Sequence, residues 1–467
     1  MKFATTFSVA AAAFALTLPT VEAQYVKASG TGFTLNGAAF RFHGTNCYWC
    51  SFLTNDADIA LTYKEIAKSG MKVVRIWGWN DVTSASGVYY QSWSGSTATV
   101  NTGNTGLGRL DVNVKEAGAN GLKLVIPMTN NWGDYGGMDV YVKALGGSGH
   151  SSFYTQTNII NAYKNYVRAV VSRYTTNTAI MSWQLANEPR CNGCPASTIT
   201  NWASNLSSYI KSLDSNHLVS LGDEGFFNRP GGNYAYAGGE GVDFEANLKI
   251  STLDYGVMHF YPDAWNLAPT TGAQWAKDHA DAGKAVGKPV VWEEYGYKTG
   301  RGSYLPDWQA ASVSNGLAGT QYWQFGLVLS SGRTHNDGYT IYNDDSDFQT
   351  LVVRHAAAMS GGSVPTNPTT TSTRQGTTTT TRQTTTTQSG GSCTDVAPSS
   401  DYTCAQQAGW GKCTESWMSG FCNASCGRCN GGGSPTTTRT QTTQPPRTTT
   451  TTTRQSGGSG APLYGQW

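Results

Sequence analysis

Residues 181–190 read M-S-W-Q-L-A-N-E-P-R, the continuation of an apolar run that begins at residue 180 and stops on an acid. Side chains alternate across a strand, so Met181, Trp183 and Leu185 share one face while Ser182, Gln184, Ala186 and Glu188 share the other. The bulky face suits packing against helices. The other faces an interior and delivers Glu188 at its carboxyl end. A second run with the same ending, V-V-W-E-E-Y-G at 290–296, puts another acid at a strand end.

Outward from these two, apolar runs at 40–49, 71–79, 122–130, 180–186, 218–222, 253–260, 289–295 and 319–325 read as buried strands. Amphipathic stretches at 58–68, 107–119, 158–173, 199–213, 244–250, 275–286, 308–315 and 348–359 read as helices between and after them. Eight strands alternating with eight helices predict an α/β fold, the (β/α)8 TIM barrel. A doubly wound sheet competes, but it usually carries a Gly-rich phosphate loop after its first strand. Here that strand leads into G-T-N-C-Y-W at 44–49, which is no such loop.

In a barrel, acids at the ends of strands four and seven face each other across the mouth, where active sites sit. Glycosidic cleavage uses two opposed carboxylates, one to protonate the leaving oxygen and one to attack or to activate water. A lone Glu could equally cap a helix or pair with an arginine. The company of Asn187, His259, Tyr261 and Trp323 at other strand ends favours chemistry.

The 467 residues carry 32 Lys and Arg against 30 Asp and Glu, a net charge of +2, which excludes the strong positive field of a dedicated nucleic-acid binder. Charged residues are scarce at 13% while aromatics reach 12%, a balance suited to neutral, hydroxylated ligands. Lys2, the apolar run at 7–18 and V-E-A at 21–23 have the layout of a secretory signal peptide over 1–23. A membrane anchor is the competing reading, but that run is shorter than the roughly 20 residues a bilayer requires. The mature chain is therefore expected to be secreted and extracellular, a monomer with no membrane or nucleic-acid partner. The barrel domain takes 24–361. A Thr/Ser/Gly-rich linker follows at 362–392, then a six-Cys module at 393–429 and a Thr/Pro-rich tail at 430–467. Asn205 and Asn423 stand in N-x-S glycosylation sequons.

Across about residues 25–360 the chain resembles glycoside hydrolase family 5, most closely its secreted fungal-type endo-β-1,4-mannanases. The motifs are R-I-W-G-W-N-D at 75–81, N-N-W-G-D-Y-G-G-M at 130–138, A-N-E-P-R-C-N-G-C at 186–194 and G-D-E-G-F at 222–226. M-H-F-Y-P-D-A-W at 258–265, E-E-Y-G at 293–296 and Y-W-Q-F-G at 322–326 complete them, with G-T-N-C-Y-W at 44–49. The resemblance implies that Glu188 is the acid/base and Glu294 the nucleophile of a retaining double displacement. Glu294 fits the family's Glu-aromatic-Gly pattern; Glu293 falls one residue early, on the opposite strand face. As the acid, Glu188 requires a raised pKa.

The resemblance further implies that Asn187 meets the 2-hydroxyl of the −1 sugar and that Arg75, His259 and Tyr261 surround the nucleophile. It makes Trp323 the aromatic floor, Trp77, Trp132 and Trp265 further cleft aromatics, and Arg190 and Glu224 contacts on the leaving-group side. The expected substrates are mannan, glucomannan and galactomannan. A family 5 endoglucanase, or a non-catalytic wall-glycan-binding glycoprotein, are the alternatives. No cofactor or metal is implied.

The pairs Cys47/Cys50 and Cys191/Cys194 could together hold zinc, but an oxidising compartment favours disulfides. The resemblance implies pairing 47–50 and 191–194. The family's further barrel disulfides are absent from this sequence. Cys393, Cys404, Cys413, Cys422, Cys426 and Cys429 are read as the staples of the small module, in one of fifteen pairings. That module resembles ShK-type toxin-like segments and modules appended to polysaccharide hydrolases. Its Tyr402, Trp410, Trp417 and Phe421 are either a stacking strip for cellulose or another wall glycan, or the core of a tiny fold. A-P-L-Y-G-Q at 461–466 resembles the opening of a fungal family 1 cellulose-binding module.

Overall fold

All eight predicted barrel strands are present in the computed structural model. They are β1 (Phe42–Asn46), β2 (Val73–Arg75), β3 (Lys123–Pro127), β4 (Ile180–Gln184), β5 (Leu218–Ser220), β6 (Gly256–Phe260), β7 (Val290–Tyr295) and β8 (Gly319–Tyr322). Hydrogen-bonded neighbours run β5-β4-β3-β2-β1-β8-β7-β6, all parallel. Between β5 and β6 two separate backbone bonds replace a ladder. Asp254 N–H donates to Val219 O at 2.8 Å and His259 N–H to Glu224 O at 3.1 Å. The Asp254 carboxylate also accepts the Val219 N–H at 2.6 Å, so one residue ties the seam in both directions.

The structure describes residues 25–362, with positions 395, 404, 408, 412–414, 418, 422 and 424–426 of the Cys-rich segment. These fall in two units, each considered by itself. The proposed leader at 1–23, the linker beyond 362, the tail at 430–467, Cys393, Cys429, Asn423 and the four module aromatics lie outside the described residues.

Val73, Val125, Met181, Leu218, Val257 and Val291 pack with Phe42 inside the barrel, and Val26 and Phe33 close that cluster. Phe33 comes from a small antiparallel sheet, Lys27–Ser29, Gly32–Leu35 and Ala38–Ala39, that precedes β1. Outside the ring, Ile180, Trp183 and Leu185 join the large core shared with the helices. Strict alternation predicts Met181 on that outer side. The structure corrects this: the β3–β4 register shifts between Ile180 and Ser182, and the bulge turns Met181 inward.

The principal helices match the predicted ones: α1 (Asp56–Lys68), α2 (Leu107–Ala119), α3 (Thr157–Tyr174), α4 (Ser197–Leu213), α5 (Phe244–Leu248), α6 (Gly272–Val286), α7 (Arg301–Asn315) and α8 (His355–Met359). The Asn55 side chain caps α1 by accepting the Ala57 N–H at 3.0 Å, with Asp56 and Asp58 in its first turn and Lys68 in its last. α7 starts seven residues earlier than expected. Arg301 anchors its first turn to Asp345, Asp347 and the Thr340 carbonyl, which outweighs the missing N–H of Pro306. The stretch predicted as one helix at 348–359 divides into a π-helical Gln349–Arg354 and α8. No helix among the described residues is long and apolar enough to cross a membrane.

Much of what the periodicity leaves unread lies in connections after strand ends. Asp81–Val82, Gln91–Ser94 and Thr97–Val100 form a small sheet between β2 and α2, and a helix, Gly137–Ala144, lies between β3 and α3. Cys47–Cys50 and Cys191–Cys194 are disulfides. In the small module Cys404 pairs with Cys422 and Cys413 with Cys426. Asn205 is exposed on α4, whereas Ser207 of its sequon is buried.

Asp81 yields a stability prediction. Its Oδ1 accepts from Gln91 Nε2 at 2.7 Å and Trp93 Nε1 at 3.3 Å, its Oδ2 is buried with no hydrogen-bond partner, and burial pushes the carboxyl up to about 7. The folded chain therefore keeps a proton that the unfolded chain loses near the ordinary 3.8. The stability this proton confers is complete below pH 3.8 and is lost as pH rises through 7. Asp81→Asn removes the charge. Urea unfolding at pH 4.5 and pH 8 should show a smaller stability loss in the variant, and a variant more stable than wild type at pH 8. An unaltered pH dependence contradicts the burial argument.

Candidate active site

The site is built around a buried guanidinium. Arg75 closes β2 with no exposed surface and its donors reach across the barrel. Nε donates to Gln184 Oε1 at 2.9 Å and Nη2 to Asn187 Oδ1 at 2.7 Å. Nη1 donates to Asn46 Oδ1 at 3.2 Å and to Glu294 Oε1. Gln184 Nε2 in turn donates to both oxygens of Glu293 at 2.8 Å. Asn187 Nδ2 donates to Asn130 Oδ1 at 3.0 Å, so the amide that faces the cleft is held from two sides.

Glu293 departs from the predicted alternation. Its carboxylate lies inside the barrel, 3.5 Å from Arg75 Nε and 3.5 Å from His259 Nε2. The β6–β7 register shifts between Met258 and His259, so that His259 pairs with Glu294 while Met258 pairs with Trp292. The bulge turns two successive acids inward. Glu294 reaches the mouth, and Glu293 stays beneath it as a buffer for Arg75.

Glu188 follows β4 with φ of 51°, a left-handed backbone unusual for a residue with a side chain. Its N–H donates to Gly222 O at 2.8 Å, and the Asn187 N–H donates to Thr129 O at 2.8 Å. Such a conformation costs about 1–3 kcal/mol and persists where the surroundings over-determine it. The carboxylate accepts from Trp132 Nε1 at 2.6 Å and His259 Nδ1 at 2.9 Å. Glu294 Oε2 accepts from Tyr261 OH at 2.7 Å and lies 3.5 Å from His259 Nδ1. One oxygen of Glu188, one of Glu294 and one His259 nitrogen all lie within 4.8 Å of one another. Three ligand atoms so close could also suit a divalent cation, but Arg75 and His259 already bring positive charge to that spot.

Burial opposes a charged His259, yet the charge of Glu294, the hydrogen bond to Glu188 and the nearby Glu293 carboxylate outweigh it and push the imidazole up to about 10. Burial raises both facing carboxyls. At Glu188 the His259 hydrogen bond and charge, with Arg190 and Trp132, more than reverse this and hold it below the usual range. At Glu294 burial and the charge of Glu188 prevail over His259, Arg75 and Tyr261, and the carboxyl is raised. The raised pKa expected of Glu188 is therefore not found, because a cationic histidine sits against it.

The structure brings the remaining candidates to the rim or just behind it. Trp323 lies parallel to Tyr48, centroids 5.6 Å apart, and its Nε1 donates to Asp337 Oδ2 at 2.6 Å. Trp77 is buried in the same aromatic cluster, 4.9 Å from Tyr48 and 5.2 Å from Tyr135. Trp265 is buried against Phe226 and Trp275, with its ring edge-on to Tyr261. Arg190 spreads between the Trp132 and Phe226 rings, 5.0 Å from each, and donates to Glu224 and Glu240. Glu224 is wholly buried, and burial pushes it up to about 8 against the pull of Arg190. Sequence reasoning missed the roles of Gln184, Asn46, Asn130 and Asp337. Gln184 had a signal, a polar residue on the inward face of an otherwise apolar strand; Asp337, in a loop, had none.

Gly222 tests how tightly Glu188 is held. At φ of 92°, a Cβ there would lie 1.9 Å from Ala186 O and 2.7 Å from the Gln184 side chain. Gly222→Ala should cost about 2 kcal/mol or more in denaturant unfolding and remove most activity, since the Gly222 carbonyl holds the Glu188 N–H. Near-wild-type stability and rate would contradict this geometry.

A family model described as "GH family 5 beta-mannosidase-like" matches residues 147–316. The chain is 46% identical over 362 residues to mannan endo-1,4-beta-mannosidase A of Hypocrea jecorina, covering 76% of this chain and 83% of that one. It is 48% identical over 341 residues to the Aspergillus aculeatus protein of the same name, covering 72% and 90%. Among solved structures, the Rhizomucor miehei endo-1,4-beta-mannanase superposes with a TM-score of 0.69 at 38% identity, over 72% of this chain and 99% of that one. The Thermotoga petrophila endo-beta-1,4-mannanase gives 0.64 at 34% identity, over 71% and 79%. With relatives this similar over more than two thirds of its length, the chain belongs to glycoside hydrolase family 5.

Proposed function

We propose that this protein is a secreted endo-acting mannanase that hydrolyses internal β-1,4-mannosidic linkages of mannan, glucomannan and galactomannan with retention. The observation that carries the reading is the approach of Glu188 and Glu294 oxygens to within 4.8 Å. Such an approach of the nearest oxygens supports direct attack, for which carboxyl groups stand about 5–5.5 Å apart, over water activation by a pair about 6.5–9.5 Å apart. Mannan as the polymer is supported by the names of both fungal relatives and both solved mannanases.

Glu294 attacks the anomeric carbon and forms a glycosyl ester, while Glu188 gives its proton to the departing oxygen. Glu188, now anionic, takes a proton from water, whose oxygen breaks the ester and restores Glu294. Asn187, fixed by Arg75 and Asn130, meets the 2-hydroxyl. Trp323 carries the sugar face, and Trp132 and Arg190 border the leaving-group side. Bound substrate draws the proton from Glu294 toward Glu188. A glycosidic oxygen against Glu188 accepts only from a protonated carboxyl, and positive charge growing at the anomeric carbon stabilises the anion at Glu294.

The proposed layout is a leader removed after residue 23, the barrel at 24–361, a spacer at 362–392 and a stapled glycan-binding module at 393–429, followed by the tail at 430–467. One kinetic experiment tests the catalytic reading. The protein should release reducing sugar from locust-bean gum far faster than from carboxymethyl cellulose. Glu188→Gln and Glu294→Gln should each lower kcat about a thousandfold or more with unchanged melting temperature. The alkaline limb of kcat should lie above that of kcat/KM, since the bound sugar favours the proton on Glu188. A preference for the cellulose derivative points to an endoglucanase, and binding without release to a wall-binding protein. A fast glutamine variant contradicts the assigned roles.

A further inference from the structure

On the far side of Asn131 from the carboxylates stands a histidine held at both ring nitrogens. His150 Nδ1 lies 2.7 Å from Asp139 Oδ1, and its Nε2 lies 2.9 Å from Asn131 Oδ1. The Asn131 amide cannot be turned round, because the same Oδ1 accepts the Arg190 backbone N–H at 3.0 Å. Both partners of the ring are therefore acceptors, and both ring nitrogens must donate. Only the imidazolium satisfies the two contacts together.

Asn131 connects this ring to the active site. Its own N–H donates to Asn187 O at 3.0 Å, so Asn131 grips the chain one residue before Glu188 and two residues after it. Glu188 lies between those grips in its left-handed conformation. We propose that His150 is a positioning residue for Glu188, a brace that fixes Asn131 and, through it, the two backbone grips on either side of Glu188.

The charged and titratable neighbours agree with this placement. Asp139, in the helix Gly137–Ala144, is held below the usual carboxylate range first by the His150 hydrogen bond. Tyr154 meets the ring edge-on at 5.9 Å, and its hydroxyl donates to Met138 Sδ. Arg190 faces Asn131 through its backbone N–H, while its guanidinium is directed to Glu224, Glu240 and Tyr234.

The inference rests on the mannanase reading for its rate measurement but not for its spectroscopic one. In the full-length protein labelled with ¹⁵N-histidine, the resonance lost in His150→Gln identifies the ring, and at pH 7 its Nε2 should carry a bonded proton. His150→Ala should lower kcat on mannohexaose about tenfold with little change in KM, and His150→Gln, which can still donate to Asn131, should recover part of that loss. A bare Nε2, or a His150→Ala kcat equal to wild type, overturns the brace. If wild type leaves mannohexaose intact while Nε2 carries its proton, the mannanase reading fails and the contact to Asn131 stands.

Discussion

One buried cation organises the mouth of this barrel. Arg75 has no contact with water, and a charge in that position is tolerable only when every donor finds an acceptor and a counter-charge lies close. Its partners come from separate places in the chain: Asn46 ends β1, Gln184 ends β4, Asn187 follows it, and Glu293 and Glu294 belong to β7. A single guanidinium therefore fixes four strand ends relative to one another. The cleft is rigid at its floor because any movement of one strand would leave a buried charge partly unpaired.

The same arrangement sets the number of protons available for chemistry. Arg75 and the imidazolium of His259 face three carboxyl groups, Glu188, Glu293 and Glu294. Two positive charges among three buried acids favour one remaining proton. Glu293 is held below the usual range, by Arg75 first among its partners, so the proton belongs to the facing pair. One neutral and one ionised carboxyl is the state a double displacement starts from. The lower acid, Glu293, supplies counter-charge to Arg75 and His259 from beneath the facing pair.

The repeating architecture was legible because buried parallel strands are nearly continuous apolar runs and their helices keep a 3.6-residue period. Glu188 and Glu294 were legible as acids that end such runs. Two bulges were not, because alternation assumes one residue per rung. A bulge at Met181 reverses a core side chain, and another beside Glu293 brings a second acid indoors. The charge state of Glu188 was also out of reach, since it depends on His259, 71 residues away in the chain. Asp337 and His150 lie in connections whose composition marks no chemistry; only folding brings one to Trp323 and the other to Asn131.

The central claim is that Glu188 and Glu294 stand close enough for a covalent glycosyl ester to form on Glu294. The most direct measurement is ¹H NMR of the anomeric signals during the first minutes of mannohexaose hydrolysis, before the new reducing ends mutarotate. The account predicts that β-anomeric ends appear first and α ends grow in later. Initial release of the α-anomer would mean that water attacks directly, and would contradict it.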